Sequence, residues 1–302
     1  MMSARFLTVV LERAFNMRDG FGREIDYMRI SVIDSCNLNC YYCNPCDNNE
    51  HCHALNILSV KEVLCIVRAA TRLGIKHFRL TGGEPLLHPQ LDEMVLQIKK
   101  IPGVSSVSLT TNAVLLAQHA KWLKEAGIDS INVSLDTIDA SEYERITKKP
   151  LLEEVKHGIN AAIECGIRVK INVVLTPQTD VVALTRYVAK KGTDIRFIEM
   201  MPVGEGHTNG VEPYKKVIGT LSKLYGEPCR INTEKTKEIN SGNDKRKIPD
   251  NGPAEYYIFP ELGIRVGLIQ AIHGKFCDTC NRIRVTADGR LMPCLGSIFV
   301  MC

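Results

Sequence analysis

Residues 27–43 read YMRISVIDSCNLNCYYC. The first seven, residues 27–33, are rich in apolar and β-branched side chains and predict a short strand. Cys36, Cys40 and Cys43 follow at once, with the spacing C-x3-C-x2-C. A strand followed directly by a loop with reactive side chains, here cysteines, is typical of βα proteins. In these proteins the functional residues lie at the carboxyl ends of the strands.

The same theme, a β-rich segment followed by a helical one, recurs up to Met200. It predicts six parallel strands, at residues 27–33, 77–81, 107–111, 130–135, 168–175 and 195–200. Ser59 and Glu62 form a capping box ahead of one helix, and Gly74, Gly127 and Gly166 end three of them. Six right-handed βα units predict an α/β fold, a partial (β/α)6 barrel of the TIM type that stays open.

After Pro202 the regular alternation of β-rich and helical segments ends, which predicts a smaller C-terminal module. We expect a helix over 213–225, a polar surface loop over 232–251 and short strands at 255–259 and 263–269. The run RIRVTADGRLMPC predicts a hairpin that turns at Asp288 and Gly289, a pair suited to a type I′ turn. The expected domains are an N-terminal extension (1–18), the partial barrel (19–205) and the C-terminal module (206–302).

Composition narrows the functional class. The 38 basic and 34 acidic residues leave a net charge of +4, which argues against a nucleic-acid binder held mainly by charge. No apolar run approaches the ~18 residues of a membrane helix, so we expect a cytoplasmic protein without a membrane partner. Twelve cysteines in such a chain indicate metal or redox chemistry. The isolated Cys65, Cys165 and Cys229 are expected to be small buried hydrophobes.

The first cysteine group can bind an iron–sulfur cluster. Three thiolates hold three irons of a cubane and leave the fourth iron open to another ligand. A structural zinc site is the alternative, although zinc favours paired C-x2-C knuckles and four protein ligands. Cys46 and Cys52 are nearby, and we assign them no role.

The second cysteine group consists of Cys277, Cys280 and Cys294, with the spacing C-x2-C-x13-C. It again offers three thiolates, and zinc with Cys229 or Cys302 as the fourth ligand satisfies the same spacing. Arg282 and Arg284 are two residues apart on the next strand, so their side chains project from the same face. Their planar guanidinium groups suit phosphate oxygens, which points to an anionic ligand; a solvated strand face is the alternative.

The sequence here resembles that of the radical S-adenosylmethionine (SAM) superfamily. The resemblance is carried by the first cysteine group, by Tyr42 and by the turn Thr81-Gly82-Gly83-Glu84-Pro85. With both groups in view, the chain from Asp19 to about Leu295 resembles the GTP 3′,8-cyclase (MoaA) family of molybdenum cofactor biosynthesis. The matching blocks are RLTGGEPLL, SLTTNAVLL, INVSLDTID, VKINVV, RFIEMMPVG and FCDTCNRIRVTADGRLMPCL.

The resemblance implies a lyase that carries two [4Fe–4S] clusters. In the family, the first cluster cleaves SAM to a 5′-deoxyadenosyl radical, which abstracts the ribose C3′ hydrogen of GTP, and the C3′ radical attacks C8 of guanine. The second cluster contacts the purine. The GTP contacts of the family match Arg29, Arg79, Thr110, Lys170, Arg282 and Arg284. The SAM contacts match Tyr42, Gly83, Ser134 and Met201.

The resemblance also implies partners: a low-potential electron donor, a downstream accessory pterin synthase and a second copy of the chain in a homodimer. Two alternatives stay open, namely another radical SAM enzyme with an auxiliary cluster, such as a peptide maturase or nucleoside cyclase, and a non-catalytic truncated homologue. The chain departs from the family at Ser35, at His88-Pro89 and at its end. The family continues past the third cysteine of the second group to a Gly-Gly tail, whereas this sequence stops at Cys302.

Overall fold

The computed structural model describes residues 17–43, 56–201, 211–231 and 252–294. Six parallel strands form the centre of its sheet and lie in sequence order. They are β1 (Tyr27–Ser31), β2 (His77–Thr81), β3 (Ser106–Thr111), β4 (Ser130–Ser134), β5 (Val169–Leu175) and β6 (Asp194–Glu199). The six predicted strands are confirmed, with bounds that agree to within two residues.

Helices follow the strands, as the βα theme requires. They are α1 (Val60–Arg72), α2 (Leu91–Lys99), α3 (Leu116–Glu125), α4 (Ala140–Thr147), α5 (Leu152–Glu164), α6 (Val181–Lys190) and α7 (Gly219–Tyr225), the last preceded by a π-helical turn, Tyr214–Ile218. The Ser59 hydroxyl caps α1 and the Glu62 carboxylate bonds back to the Ser59 amide, as the capping box predicts. Gly74 has a φ of 92°, a left-handed conformation that costs glycine little and ends the helical segment.

Successive side chains of each strand point to opposite faces of the sheet, so one face packs in the hydrophobic core and the other lines the barrel interior. In β2, Phe78 and Leu80 are fully buried and belong to the hydrophobic core. Arg79 lies between them and therefore points to the opposite face, into the barrel. Burial of an aromatic side chain such as Phe78 contributes roughly 2–3 kcal/mol, which fixes the register that aims Arg79 inward.

The C-terminal segment adds strands to both edges of this sheet. Its strands are β7 (Cys229–Ile231), β8 (Glu255–Ile258), β9 (Arg265–Ile269), β10 (Arg282–Val285) and β11 (Leu291–Met292), and the sheet order is β11-β10-β1-β2-β3-β4-β5-β6-β9-β8-β7. β9 is parallel to β6, and β10 is parallel to β1. The predicted C-terminal module therefore shares one sheet with the barrel; the boundary at residues 205 and 206 stays a prediction.

This topology places the two cysteine groups at opposite ends of the barrel. Cys36 follows β1 and lies at the carboxyl ends of the strands. Cys277 and Cys280 precede β10, which is parallel to β1, and so lie at the amino ends. β11 is antiparallel to β10 and returns Cys294 to the same amino ends. The expectation that chemistry lies at the carboxyl ends therefore holds for the first cysteine group and fails for the second.

Two smaller predictions were wrong. The hairpin between β10 and β11 forms, but only Gly289 in its turn has a positive φ, of 83°, whereas a type I′ turn needs two such residues. The Gly289 amide donates to the Thr286 carbonyl, and the Thr286 amide donates to the Arg290 carbonyl, which makes a three-residue loop. Cys65 and Cys229 are exposed, contrary to the prediction, whereas Cys165 is partly buried and packs against the hydrophobic core.

The polar stretch 232–251 lies outside the described residues, as do Cys46, Cys52 and Cys302. Among the residues that are described, no helix is long and apolar enough to cross a membrane.

Candidate active site

The first cysteine loop is fixed to the barrel by its backbone. The Asn39 amide donates to the Thr147 carbonyl at 3.0 Å, and the Tyr41 amide donates to the Ile146 carbonyl at 3.1 Å. Both acceptors are at the end of α4 (Ala140–Thr147). The loop therefore lies across the carboxyl ends of the strands.

The glycine pair after β2 contacts the segment that leads to Cys36. The Gly83 amide donates to the Ile33 carbonyl and the Glu84 amide to the Ser35 carbonyl, both at 2.8 Å. A Cβ atom on Gly83 would be 2.1 Å from the Ser35 carbonyl oxygen. Only glycine allows this approach, so the GGEP turn acts on the cysteine loop through its backbone.

Glu84 connects three parts of the site. It is 1% exposed, and its carboxylate accepts hydrogen bonds from the Thr111 hydroxyl at 2.7 Å and the Asn112 amide at 2.7 Å. The Asn112 side chain in turn donates to Asn37 Oδ1 at 2.7 Å and to Cys36 Sγ at 3.8 Å. Burial raises the pKa of Glu84 despite these bonds. The Glu84 carboxylate therefore acts on Cys36 through Asn112.

The first cysteine group sits beside a buried carboxylate. Tyr42 donates a short hydrogen bond to Asp136 Oδ2, and the Val174 amide donates to Asp136 Oδ1 at 2.7 Å. Burial raises the pKa of Asp136 to about 6. Burial, and then the Asp136 carboxylate, raises the pKa of Cys40 to about 12. The Tyr42 hydroxyl is engaged with Asp136, so a contact between Tyr42 and SAM has to use its ring or backbone.

These residues fit the cluster that the spacing predicts. The charges of Cys36 and Cys43 act on Cys40, so the three thiols are neighbours. The Leu38 amide and the Asn112 side chain both point their N–H groups at Cys36 Sγ, the kind of contact that tunes a cluster through its sulfur atoms. In this loop, Cys36, Cys40 and Cys43 would hold three irons of a cubane.

The second cysteine group is gathered around two arginines. Cys277 begins a short 3-10 turn, and its carbonyl accepts a hydrogen bond from Arg23 Nη1 at 3.0 Å. The charges of Cys277 and Cys280 act on Arg23, and those of Cys280 and Cys294 act on Arg284. The three thiols therefore share one cationic neighbourhood and would hold three irons of the second cluster.

Neither group is arranged as a site for one ion. Within the described ranges, no three His, Cys, Asp or Glu side chains are grouped as ligands of a single metal. Zinc needs such a group, whereas a cubane binds each thiolate to a different iron. Cys229, a suggested fourth zinc ligand, lies on the edge strand at the other side of the sheet from β10 and β11. Cys229 is therefore not placed to complete a zinc site with the second cysteine group.

A cavity of about 420 Å³ lies inside the barrel and is lined by side chains of its parallel strands. Its wall reaches the amino ends of the strands at His77, Ser106 and Ser130. The basic side chains that line it are Arg29, Arg79, Arg168, Lys170, Arg196 and Arg282. The lining carboxylate of Asp129 is already paired with Lys99 at 2.9 Å. The cavity therefore carries a strong positive field.

Arg29 lies in the middle of this field. Burial, and then the charges of Arg284, Arg79 and Arg282, lowers its pKa well below the ordinary value. Its Nε atom is buried and has no hydrogen-bond partner among the described residues. An unpaired buried donor among like charges is costly, by about 1–3 kcal/mol for the donor alone. A bound anion removes this cost.

The predicted site residues separate into two sets. Five of the six predicted GTP contacts line the cavity: Arg29, Arg79, Thr110, Lys170 and Arg282. Arg284 is outside the lining set and pairs with Arg29 in the strand register. The four predicted SAM contacts lie with the first cysteine group at the carboxyl ends of the strands: Tyr42 in the loop after β1, Gly83 after β2, Ser134 at the end of β4 and Met201 after β6.

Sequence reasoning missed several cavity residues, among them Arg168, Asn172 and Arg196. Arg196 Nε donates to Asn172 Oδ1 at 2.9 Å across neighbouring strands. Asn172 is two residues after Lys170, on the same face of β5, so strict alternation from Lys170 could have found it. The register then places Arg196 beside it.

His88, where the chain departs from the family, has a structural role. Its Nδ1 accepts from the Gln90 amide at 3.1 Å, and its Nε2 therefore carries the proton that bonds the Leu58 carbonyl at 3.0 Å. Burial lowers its pKa. The ring joins the segment before α2 to the segment before α1 and does not line the cavity.

The open barrel and the three-cysteine loop define a radical SAM protein. The sequence profile of the Radical SAM superfamily matches residues 30–184, and that of Molybdenum Cofactor Synthesis C matches residues 193–298. Solved structures agree on the fold. Streptococcus suis SuiB has a TM-score of 0.64 at 15% identity, over 91% of this chain and 62% of that chain. The anSMEcpe structure with bound AdoMet has a TM-score of 0.60 at 17% identity, over 90% of this chain and 75% of that chain.

The chain thus spans less than two thirds of SuiB, and these likenesses carry the fold alone. Curated relatives are more similar. The GTP 3′,8-cyclase of Clostridium perfringens (strain SM101 / Type A) is 37% identical over 282 residues, 92% of this chain and 83% of the relative. That of Pelotomaculum thermopropionicum is 38% identical over 286 residues, 92% of this chain and 84% of the relative. The chain belongs to the GTP 3′,8-cyclase family.

Proposed function

We propose that this protein converts GTP to (8S)-3′,8-cyclo-7,8-dihydroguanosine 5′-triphosphate in molybdenum cofactor biosynthesis. It is a radical SAM lyase with two [4Fe–4S] clusters. The observation that carries the proposal is the cationic cavity inside the barrel, with the buried, unpartnered Nε of Arg29 in its wall. Such a cavity favours a ligand with an anionic part.

Different residues of the cavity would bind the triphosphate and the purine of GTP. Arg29, Arg79 and Lys170, with Thr110, would bind the triphosphate through charge-assisted hydrogen bonds. Arg282, beside the second cysteine group, would act nearer the purine. Held at both ends, the nucleotide presents its ribose to the carboxyl ends of the strands, where the first cysteine loop lies. Holding the reacting groups in this way removes the entropic cost of their encounter.

A cluster held by Cys36, Cys40 and Cys43 would, with bound SAM, supply the carbon radical that removes the C3′ hydrogen atom of GTP. The protein has to keep water and other hydrogen donors away from that radical. Ile198 and Ile269 are apolar side chains of the cavity lining and would limit the access of water on their side.

The SAM contacts proposed for Tyr42, Gly83, Ser134 and Met201 rest on the family motif and on their common place at the carboxyl strand ends. The barrel over 19–205 and the auxiliary-cluster module over 206–302 are likewise proposed as functional parts. The low-potential electron donor, the accessory pterin synthase and the homodimer are proposed from the family resemblance.

The test is an anaerobic assay of the reconstituted protein with a low-potential reductant, SAM and GTP. Mass spectrometry follows 5′-deoxyadenosine and the cyclised nucleotide. Both products, each dependent on GTP, are expected. Deoxyadenosine without the nucleotide would refute the proposed substrate and favour another radical SAM reaction. A C294A variant is the matched control, because it removes a ligand of the second cluster and leaves the first cysteine loop intact.

A further inference from the structure

Tyr27 lies at the centre of the cationic wall and belongs to neither set of predicted contacts. It is the first residue of β1, is 8% exposed and lines the cavity. In the strand register it stands between Arg282 and His77. Its neighbour on the same face of β1 is Arg29, two residues on.

The Tyr27 hydroxyl holds the guanidinium of Arg79. Arg79 Nε donates a short hydrogen bond to Tyr27 Oη, and Arg79 Nη1 donates to Thr110 Oγ1 at 3.4 Å. No other hydrogen bond of the Arg79 side chain occurs among the described residues. Two acceptors on different strands thus fix the plane of the guanidinium and leave Nη2 for a ligand.

The chemistry of the acceptor matters as much as its position. A carboxylate here would form a bidentate ion pair with Arg79 and compete with a phosphate group for it. A phenol accepts the same hydrogen bond and leaves the positive charge of Arg79 unneutralised. Burial alone would raise the pKa of Tyr27, but the Arg79 and Arg29 guanidinium groups lower it, which places the hydroxyl firmly within their field.

We propose that Tyr27 is a positioning residue for the substrate phosphates: its hydroxyl holds the Arg79 guanidinium in the orientation that binds them. This inference rests on the proposed function, which supplies the triphosphate. Tyr27 acts through Arg79 and is not itself a ligand of the phosphates.

The alternative role for Tyr27 is packing alone, because its ring stacks on the His77 ring with centroids 6.3 Å apart. Phenylalanine keeps that ring and removes only the hydroxyl, so Tyr27→Phe separates the two roles. Tyr187→Phe is the matched control. The hydroxyl of Tyr187 is buried without a hydrogen-bond partner and lies on α6 (Val181–Lys190), away from the cavity lining.

The experiment measures GTP binding to the anaerobically reconstituted protein by isothermal titration, for the wild type, Y27F, Y187F, R79Q and the Y27F/R79Q double variant. We expect Y27F to raise the Kd for GTP about three- to tenfold, the effect of one hydrogen bond, and Y187F to leave it unchanged. Because Tyr27 acts through Arg79, the double variant should bind no more weakly than R79Q.

Three results would overturn the inference: wild-type affinity in Y27F, additive losses in the double variant, or a Y27F unfolding midpoint far below that of Y187F, which would make the hydroxyl structural. Failure of the wild type to bind GTP is a different result. It would remove the proposed function and the inference with it, whereas wild-type binding with an unaffected Y27F removes the inference alone.

Discussion

Replacing Gly83 with alanine tests whether the turn after β2 sets the first cysteine loop. The new Cβ would be 2.1 Å from the Ser35 carbonyl oxygen and 2.4 Å from the Asp34 carbonyl oxygen. Both neighbours are backbone atoms, and ordinary contact needs about 3.5 Å, so the segment has to move by more than about 1 Å. Cys36 is the next residue after that segment and has to move with it.

The cost follows from the contacts. Overpacking of this kind costs about 1–3 kcal/mol. The shift also breaks the hydrogen bonds from Gly83 N to Ile33 O and from Glu84 N to Ser35 O, each about 1 kcal/mol. We therefore expect G83A to lose about 3–5 kcal/mol of unfolding free energy and most of the first cluster.

The assay is urea unfolding of the reduced apoprotein, with iron content measured after anaerobic reconstitution. Gly219→Ala is the matched control: that glycine has a helical φ of −60°, and a Cβ there meets nothing within 4 Å. G219A should be neutral or more stable by up to ~1 kcal/mol. A G83A protein within ~1 kcal/mol of the wild type, with both clusters, would refute the reasoning.

Three further changes test other contacts. Tyr42→Phe leaves the buried Asp136 Oδ2 without a donor and should cost about 1–3 kcal/mol in urea unfolding, whereas D136N keeps the bond with its direction reversed and should cost less; equal costs would contradict this. Glu199→Ala strips the acceptor from two backbone amides and the His273 ring in the segment after β9, so it should cost about 1–3 kcal/mol or more in urea unfolding. E199Q should be nearly normal, because the ring can switch tautomer; a Gln variant as poor as the Ala variant would show that charge is what matters. Burial lowers the pKa of His88, so below about pH 6.5 the unfolded state binds more protons than the folded state. The free energy of unfolding therefore decreases as the pH is lowered through this range. The difference in unfolding free energy between pH 7.5 and 5.5 should be smaller in H88Q, and an unchanged difference would exclude His88 as its source.

The sequence predicted the parts of the fold that depend on local physics. The strand from Tyr27, the capping box of Ser59 with Glu62 and the stop at Gly74 were each readable, because alternation, side-chain caps and left-handed glycine leave local signatures. The two groups of three cysteines were visible in the sequence for the same reason, since cysteine spacing is itself local.

The failures were contacts between distant parts of the chain. Cys65 is a different case, because the apolar spacing of α1 at Val63, Val67 and Ala70 already indicates that position 65 faces away from the sheet. The turn at Gly289 was misassigned because the register of β10 with β11 sets the length of the loop. Arg196 reads as an ordinary charged strand residue until its neighbour across the sheet, Asn172, is known.

The sequence by itself thus determined the strands, their helices and the two sets of three thiols. Only the tertiary structure decided that β10 runs parallel to β1, which sends Cys277 and Cys36 to opposite ends of one barrel that holds a cationic cavity. The physical reason is that strand pairing over some 250 residues of chain is settled by burial and backbone hydrogen bonding across the whole sheet. No local pattern near either cysteine group records that choice.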